Sequence, residues 1–260
     1  MIDLRGHAAL VTGSSKGVGR AIAIAFAQAG ADVVIHGREK GAEAEEVIAT
    51  CRKHGVKADF IAGDLSGPTE AAVEDVFSAA LAANPKIDIL VNNAGQFFDV
   101  AFEQMTLDRF DKTMRLNVAS PYFLTQRFAN HWITNLVAGR VLMIGSINGR
   151  LAEPGSTAYD TSKGALEMMV KTLAANLADK NIRINGLAPG LVKTPQTAWI
   201  DTRPKQAAWI AHHTPNHQIP DADVCGAGAV YLCSDDAWHV HGQMLLIDGG
   251  MSIWQHPRPI

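Results

Sequence analysis

The stretch His7-Ala8-Ala9-Leu10-Val11-Thr12-Gly13-Ser14-Ser15-Lys16-Gly17-Val18-Gly19, followed by Arg20 to Ala29 and closed by Gly30, decides the fold class of this chain. Its first five residues form an apolar run with the length of a buried strand, and Arg20 to Ala29 reads as a helix. The glycines between them are spaced G-x-x-x-G-x-G. A glycine-rich turn that joins a strand to a helix lets backbone N–H groups approach a pyrophosphate at the helix N-terminus. One such turn is also compatible with a plain tight turn, so the reading depends on what surrounds it.

The same alternation continues outward. Asp32 to His36 reads as a second strand, followed by Gly37-Arg38 and an amphipathic helix from Glu39 to His54. Val56 to Ala62 is a third strand, ending at Gly63-Asp64-Leu65, and Pro68 to Ala83 is helical. Ile87 to Val91, a fourth strand, runs into Asn92-Asn93-Ala94-Gly95, whose small residues permit close backbone approach to a ligand. Thr106 to Val137 is one long helical pattern with Asn117 inside it, and Pro121 predicts a kink or a break there. Val141 to Ile144, Ile182 to Leu187 and Gln243 to Asp248 complete seven strands, with helices over Thr157 to Ala178 and Asp223 to Cys233. Ala188 to Thr194 reads as irregular from its Pro and Gly, and Pro195 to Pro220 has no clean period. Regular βα alternation predicts a parallel sheet covered by helices on both faces.

The chemistry centres on Tyr159-Asp160-Thr161-Ser162-Lys163. On a helix Tyr159 and Lys163 are i and i+4 and emerge from one face. A phenol titrates near pKa ~10, and an ammonium beside it favours the phenolate and brings proton exchange toward the working range. Ser146 follows the apolar run Val141 to Gly145, which places its hydroxyl at a strand's carboxyl end, where open α/β sheets bind ligands.

With 260 residues, 47% of them hydrophobic, the chain can bury one substantial core, so residues 1–260 read as a single domain. A net charge of -3 gives no general reason to bind nucleic acid or a membrane surface. No segment reaches transmembrane length, and the start lacks a secretory apolar region. Cys51, Cys225 and Cys233 are few and widely spaced, as in a cytoplasmic protein with reduced thiols. His239 and His241, or His212 and His213, lack carboxylate or thiolate partners at ligand spacing, so no metal is expected.

Taken together, these motifs resemble the short-chain dehydrogenase/reductase family over nearly the whole chain. The matching residues are Thr12-Gly13-x-x-x-Gly17-x-Gly19, Asp64, Asn92-Asn93-Ala94-Gly95, Asn117, Ser146, Tyr159-x-x-x-Lys163, Pro189-Gly190, Thr194 and Asp248-Gly249-Gly250. The resemblance implies an α/β, Rossmann-type three-layer sandwich whose seven parallel strands run in the order 3-2-1-4-5-6-7. It also implies a nicotinamide cofactor. By the motifs, Gly13, Gly17 and Gly19 surround the pyrophosphate, with Ser15, Lys16 and Val18 in the same turn. Asp64 meets the adenine, Asn92 starts the loop over the adenosine ribose, and Thr194 reaches the nicotinamide carboxamide. Leu65, Ala94, Gly95, Pro189, Gly190 and Val192 are further cofactor-binding residues by the same resemblance. Asn92 and Asn93 also suit simple turn formation.

The implied reaction is hydride transfer between the nicotinamide and a carbonyl or alcohol carbon, with Ser146 and Tyr159 on the oxygen and Tyr159 as the acid or base. Lys163 keeps Tyr159 acidic and holds the nicotinamide ribose. Asn117 either anchors a water that resupplies protons or satisfies backbone groups at the kink. The end of the second strand, His36-Gly37, carries no carboxylate for a ribose 2′-hydroxyl, whereas Arg38 and Lys16 suit a 2′-phosphate. NADP(H) is therefore expected over NAD(H). Glu39 is expected to begin the next helix rather than reach the ribose.

The segment around 195–220 is expected to cover the substrate. Its Trp199 and Trp209 suit an apolar lid or an interface equally. The scarcity of cations between Asn135 and Arg140 favours a small carbonyl or alcohol substrate over 3-oxoacyl groups on an acidic carrier protein. A catalytically silent dinucleotide sensor and an assembly subunit are the alternatives from other classes. By the resemblance, the expected assembly is a homotetramer that buries faces such as Phe123, Phe128 and Met168.

Overall fold

The structure is a computed structural model that describes residues 2–254; Met1 and residues 255–260, the ends of the expected domain and tail, lie outside the described residues. Seven strands form its sheet: β1 (Ala8–Val11), β2 (Asp32–Gly37), β3 (Ala58–Ala62), β4 (Ile89–Asn92), β5 (Gly139–Ile144), β6 (Ile182–Pro189) and β7 (Met244–Ile247). All pair in parallel, in the order β3-β2-β1-β4-β5-β6-β7.

Both faces of the sheet are covered, which is why its strands read as continuous apolar runs. Along β1 successive side chains alternate between the two layers. Ala9 and Val11 face Ile22 and Phe26 of helix α1 (Gly17–Gln28), together with Val47 of α2 (Ala42–Arg52). Ala8 and Leu10 face the other layer, built on α3 (Thr69–Ala83), α5 (Ser120–Asn135) and α6 (Thr157–Leu177).

Three departures from the sequence reading have local causes. Helix α1 begins at Gly17 rather than Arg20, because the glycine turn itself supplies the first helical turn. Strand β6 continues through Ala188 and Pro189, which the sequence marks as irregular. Strand β5 ends at Ile144 opposite Leu187, so Pro189 pairs only with β7 and its missing N–H breaks no ladder bond. Helix α2 starts at Ala42, which leaves Glu39 in a bend before it, outside the first turn.

The long helical pattern is interrupted as Pro121 predicts, one turn upstream of it. Helix α4 (Leu107–Met114) passes through a π-helical stretch, Arg115–Ala119, into α5. The proline has no N–H for the carbonyl four residues back, at Asn117, and the extra residue of the π turn absorbs the mismatch. The segment after β6 folds into a 3-10 turn (Pro195–Thr197) and two short helices, α7 (Trp199–Thr202) and α8 (Pro204–His212). Helix α9 (Val224–Cys233) then packs beside α1.

Trp132 is the largest fully buried side chain, and its Nε1 donates to the Ile87 carbonyl at 2.8 Å. Its ring packs against Gly139, where a Cβ would fall 2.7 Å from the indole Cδ2. Gly139→Ala is therefore expected to destabilise the fold by about 3 kcal/mol, the scale of forced overpacking, in a denaturant titration. Phe128 belongs to the same buried cluster, so it is a core residue and not part of an exposed interface face as the sequence reading has it. Phe123 and Met168 are exposed. At the opposite end of the sheet from the candidate site, Arg140 is buried between Asp88 (2.7 Å) and Asp235 (2.6 Å).

Candidate active site

The carboxyl ends of β1, β4, β5 and β6 bring most of the sequence candidates together, at the point where the strand order reverses between β1 and β4. The turn after β1 is held from three sides. Gly13 and Gly17 have φ of +63° and +60°, a region that side chains with a Cβ rarely adopt. The Thr12 hydroxyl accepts the N–H groups of Asn93 (2.9 Å) and Ala94 (3.0 Å), and Asn93 Nδ2 donates back to the carbonyls of Thr12 and Gly13. Gly19 packs so closely that a Cβ there would lie 2.6 Å from the Gly13 carbonyl. Lys16 caps α1 without a side-chain hydrogen bond, and no acid occupies the helix's first turn, so its leading N–H groups are open to a phosphate.

The third support is His36, a residue that the sequence reading used only as a missing carboxylate. Buried at the end of β2, it accepts the Gly13 N–H at Nδ1 (3.1 Å), while its own N–H donates to Ser14 Oγ (3.1 Å). Burial pushes its pKa down to about 4. The folded chain therefore holds fewer protons than the unfolded chain between pH 4 and the ordinary histidine value near 6.5. The stability contributed is fully present above pH ~6.5 and falls by about 3 kcal/mol as the pH drops to ~4. His36→Asn keeps a carbonyl acceptor for Gly13, and its unfolding free energy is expected to fall less steeply over that window.

Around the turn, Arg38 is exposed just beyond β2, and Lys16 lies 4.0 Å from Glu43. Ser15 abuts Gly37, where a Cβ would sit 2.7 Å from its Oγ. Beyond β3, Asp64 Oδ1 accepts the N–H and hydroxyl of Ser66, which hold its carboxyl below the usual range. Leu65 is buried, and its carbonyl accepts the Ser120 hydroxyl. Asn92 ends β4 with its side chain buried and bonded to Thr125, so only its main chain faces the loop. Gly190 crosses Asp248, Val192 packs on Val18 and Ala21, and the Thr194 side chain lies against Gly17. Thr194 also exchanges capping bonds with Thr197 at the base of the 195–220 segment.

Ser146 lies immediately beyond β5, with its Oγ accepting the Asn148 N–H at 3.2 Å. Tyr159 is in the first turn of α6, its ring packed edge-on to Phe97 at 5.3 Å. Lys163 is buried one turn on. Its Nζ donates to the Ile144 carbonyl at 2.8 Å and lies 5.4 Å from the Tyr159 ring centroid. Asn117, in the π turn, accepts the Gln96 N–H at Oδ1 and donates to the Gln96 carbonyl and to Ser162 Oγ, which in turn donates to the Tyr159 carbonyl. All polar atoms of its side chain are thus used by the protein. A water bound at Asn117 would have to use the main-chain carbonyl, which Pro121 cannot satisfy.

The electrostatics differ from the sequence expectation that Lys163 lowers the Tyr159 pKa. Burial pushes the Tyr159 hydroxyl up to about 12, the neighbouring Ser146 hydroxyl opposes this, and the charges of Asp160 and Glu153 add to it. Burial also pushes Lys163 down to about 8. Desolvation is the largest cause for both groups, so Tyr159 is a neutral proton donor at neutral pH.

Among the described residues, no group of three or more His, Cys, Asp and Glu side chains is placed to hold a metal ion, and no helix is long and apolar enough to cross a membrane.

Residues 13–252 match the family model described as enoyl-(acyl carrier protein) reductase. The chain is 36% identical to an L-rhamnose 1-dehydrogenase (NADP(+)) of Thermoplasma acidophilum, covering 97% of this chain and 99% of the relative. It is 33% identical to a 3-oxoacyl-[acyl-carrier-protein] reductase of Aquifex aeolicus, covering 96% and 99%. The crystal structure of a gluconate 5-dehydrogenase from Burkholderia cenocepacia, in complex with NADP and tartrate, superimposes with a TM-score of 0.90 at 31% identity, covering 97% and 98%.

Proposed function

The chain belongs to the short-chain dehydrogenase/reductase family of nicotinamide-dependent oxidoreductases, and from that premise we propose that it is an NADP(H)-dependent dehydrogenase for a small polyhydroxylated alcohol or its carbonyl form. The observation that carries this reading is the buried Lys163 ammonium, fixed by the Ile144 carbonyl beneath Tyr159 and beside Ser146. Similarity to a rhamnose and a gluconate dehydrogenase supports the substrate class.

The residues present fit a dinucleotide. The uncapped, acid-free start of α1 suits the pyrophosphate, and Arg38 and Lys16 suit a 2′-phosphate. In this reading Asp64 meets the adenine, Thr194 reaches the nicotinamide, and Pro189, Gly190 and Val192 line the cofactor. When bound, the nicotinamide supplies the hydride donor or acceptor. Ser146 and Tyr159 hold the reacting oxygen, and donors aimed at its developing charge contribute roughly 3 kcal/mol each. Tyr159 gives its proton to the oxygen in reduction, and in oxidation it takes the substrate proton as it releases its own toward Lys163. Lys163 orients the site and relays protons between Tyr159 and solvent past Asn117, losing one for each it gains.

Residues 195–220 act as the substrate lid of a single catalytic domain. Exposed apolar residues on α5 and α6, Phe123 and Met168 among them, support a homotetramer. Three buried, unpaired cysteines support a cytoplasmic setting. Arg140, the one cation of the stretch considered for carrier docking, is buried in ion pairs, which disfavours that role.

The test is a panel of sugars, sugar acids, simple alcohols and 3-oxoacyl thioesters, assayed with each dinucleotide. Turnover on polyols with NADP+ is expected. Turnover on 3-oxoacyl thioesters alone would reassign the substrate, and cofactor binding with no turnover would point to a silent sensor.

A further inference from the structure

We propose that Asp160, assisted by Glu153, is a positioning residue that fixes Ser146 against Tyr159 and sets the pH at which Tyr159 exchanges its proton. The inference rests on the reading of Tyr159 as the acid and base. Asp160 follows Tyr159 directly and carries two bonds across the site. Its Oδ1 accepts Asn148 Nδ2 at 2.8 Å, and its Oδ2 accepts the Glu153 N–H at 2.9 Å. Asn148 is also the residue whose N–H holds Ser146 Oγ, and its Nδ2 reaches Glu153 Oε2 at 3.3 Å. One carboxylate thus joins the loop bearing Ser146 to the helix bearing Tyr159. It adds to the tie from Lys163 Nζ to the Ile144 carbonyl, and it is the one that reaches the residue holding Ser146 Oγ.

The same carboxylate brings negative charge beside the phenol. The charged groups facing Tyr159 are Lys163 and Asp160 from its own helix and Glu153 from the preceding loop. The loop after β4 contributes the Phe97 ring, and the end of β5 contributes Ser146. Negative charge disfavours the phenolate, so Asp160 and Glu153 oppose Lys163 and keep Tyr159 protonated to higher pH. Removing either carboxylate must move proton exchange to lower pH, in oxidation and in reduction alike.

Three variants separate charge from position. Asp160→Asn keeps one of the two acceptors and removes the charge. The midpoint of its kcat/KM pH profile is expected to fall by about half to one unit. Glu153→Gln lies on an exposed loop, where folding is not at stake, and a smaller shift in the same direction is expected. Asn148→Ala leaves the charge and the main-chain bond to Ser146 Oγ but removes the side-chain tie between that loop and Asp160, so its plateau kcat is expected to fall about tenfold with the midpoint unchanged.

A second readout does not depend on turnover. The chain has 3 tyrosines, so subtracting the absorbance titration of Tyr159→Phe isolates the Tyr159 tyrosinate. Its onset is expected at lower pH in Asp160→Asn and Glu153→Gln, each compared with its own Tyr159→Phe background. Coincident midpoints and onsets in all carboxylate variants would overturn the inference. A chain inactive on every substrate would instead overturn the proposed function, and the tyrosinate onset would still decide the role of Asp160.

Discussion

Tyr159→Phe is expected to fold normally, to bind NADP(H) as the unsubstituted chain does, and to lose turnover by a factor of about 10² or more, the scale for removing a positioned acid. The substitution removes one hydroxyl. The edge-on packing of the ring against Phe97 is kept, and the bond from Lys163 Nζ goes to the Ile144 carbonyl, not to the phenol. Neither the fold nor the cofactor cradle around Gly13, His36 and Asn93 depends on that oxygen. Circular dichroism and dinucleotide fluorescence check the first two outcomes, and steady-state kinetics the third. Near-normal turnover in a purified sample would remove Tyr159 from the mechanism.

Arg38→Asp is expected to reverse a preference of about 10- to 100-fold for NADP(H) over NAD(H). The magnitude follows from allowing ~1 kcal/mol for each of two cations at a 2′-phosphate, modest because both are exposed and Lys16 is shared with Glu43. The substitution removes one cation and supplies a carboxylate to the ribose hydroxyl. Position 37 offers a second route: the nearest atom to a Cβ at Gly37 is Ser15 Oγ at 2.7 Å, the end of a side chain that can rotate away, so Gly37→Asp is expected to shift the preference in the same direction. Ratios of kcat/KM for the two cofactors test this, and equal values in the unsubstituted chain would show that Arg38 and Lys16 do not select the phosphate.

The fold was legible because its strands are buried on both faces, which writes each one as an unbroken apolar run between turn residues. Tyr159 and Lys163 were legible because helical spacing alone puts them on one face. Contacts distant in sequence were not. His36 shows in sequence only as the absence of an acid, yet its Nδ1 holds Gly13 from 23 residues away. Nothing local distinguishes Phe128, sealed in the core, from the exposed Phe123 five residues before it. The sign of the Tyr159 shift was missed for the same kind of reason. Pairing with Lys163 is visible in the motif, but the burial of both groups and the charges of Glu153 and Asp160 emerge only when the chain is folded.

Direct hydride transfer is the central claim, and isotope transfer tests it most directly. The best alcohol from the substrate panel, deuterated at its carbinol carbon, is incubated with the chain and NADP+, and the reduced dinucleotide is analysed by mass spectrometry. The expected product carries one deuterium per molecule from the substrate, and the same reaction with unlabelled alcohol in heavy water carries none. Unlabelled product from the deuterated alcohol, or deuterium gained from the solvent, would contradict the account.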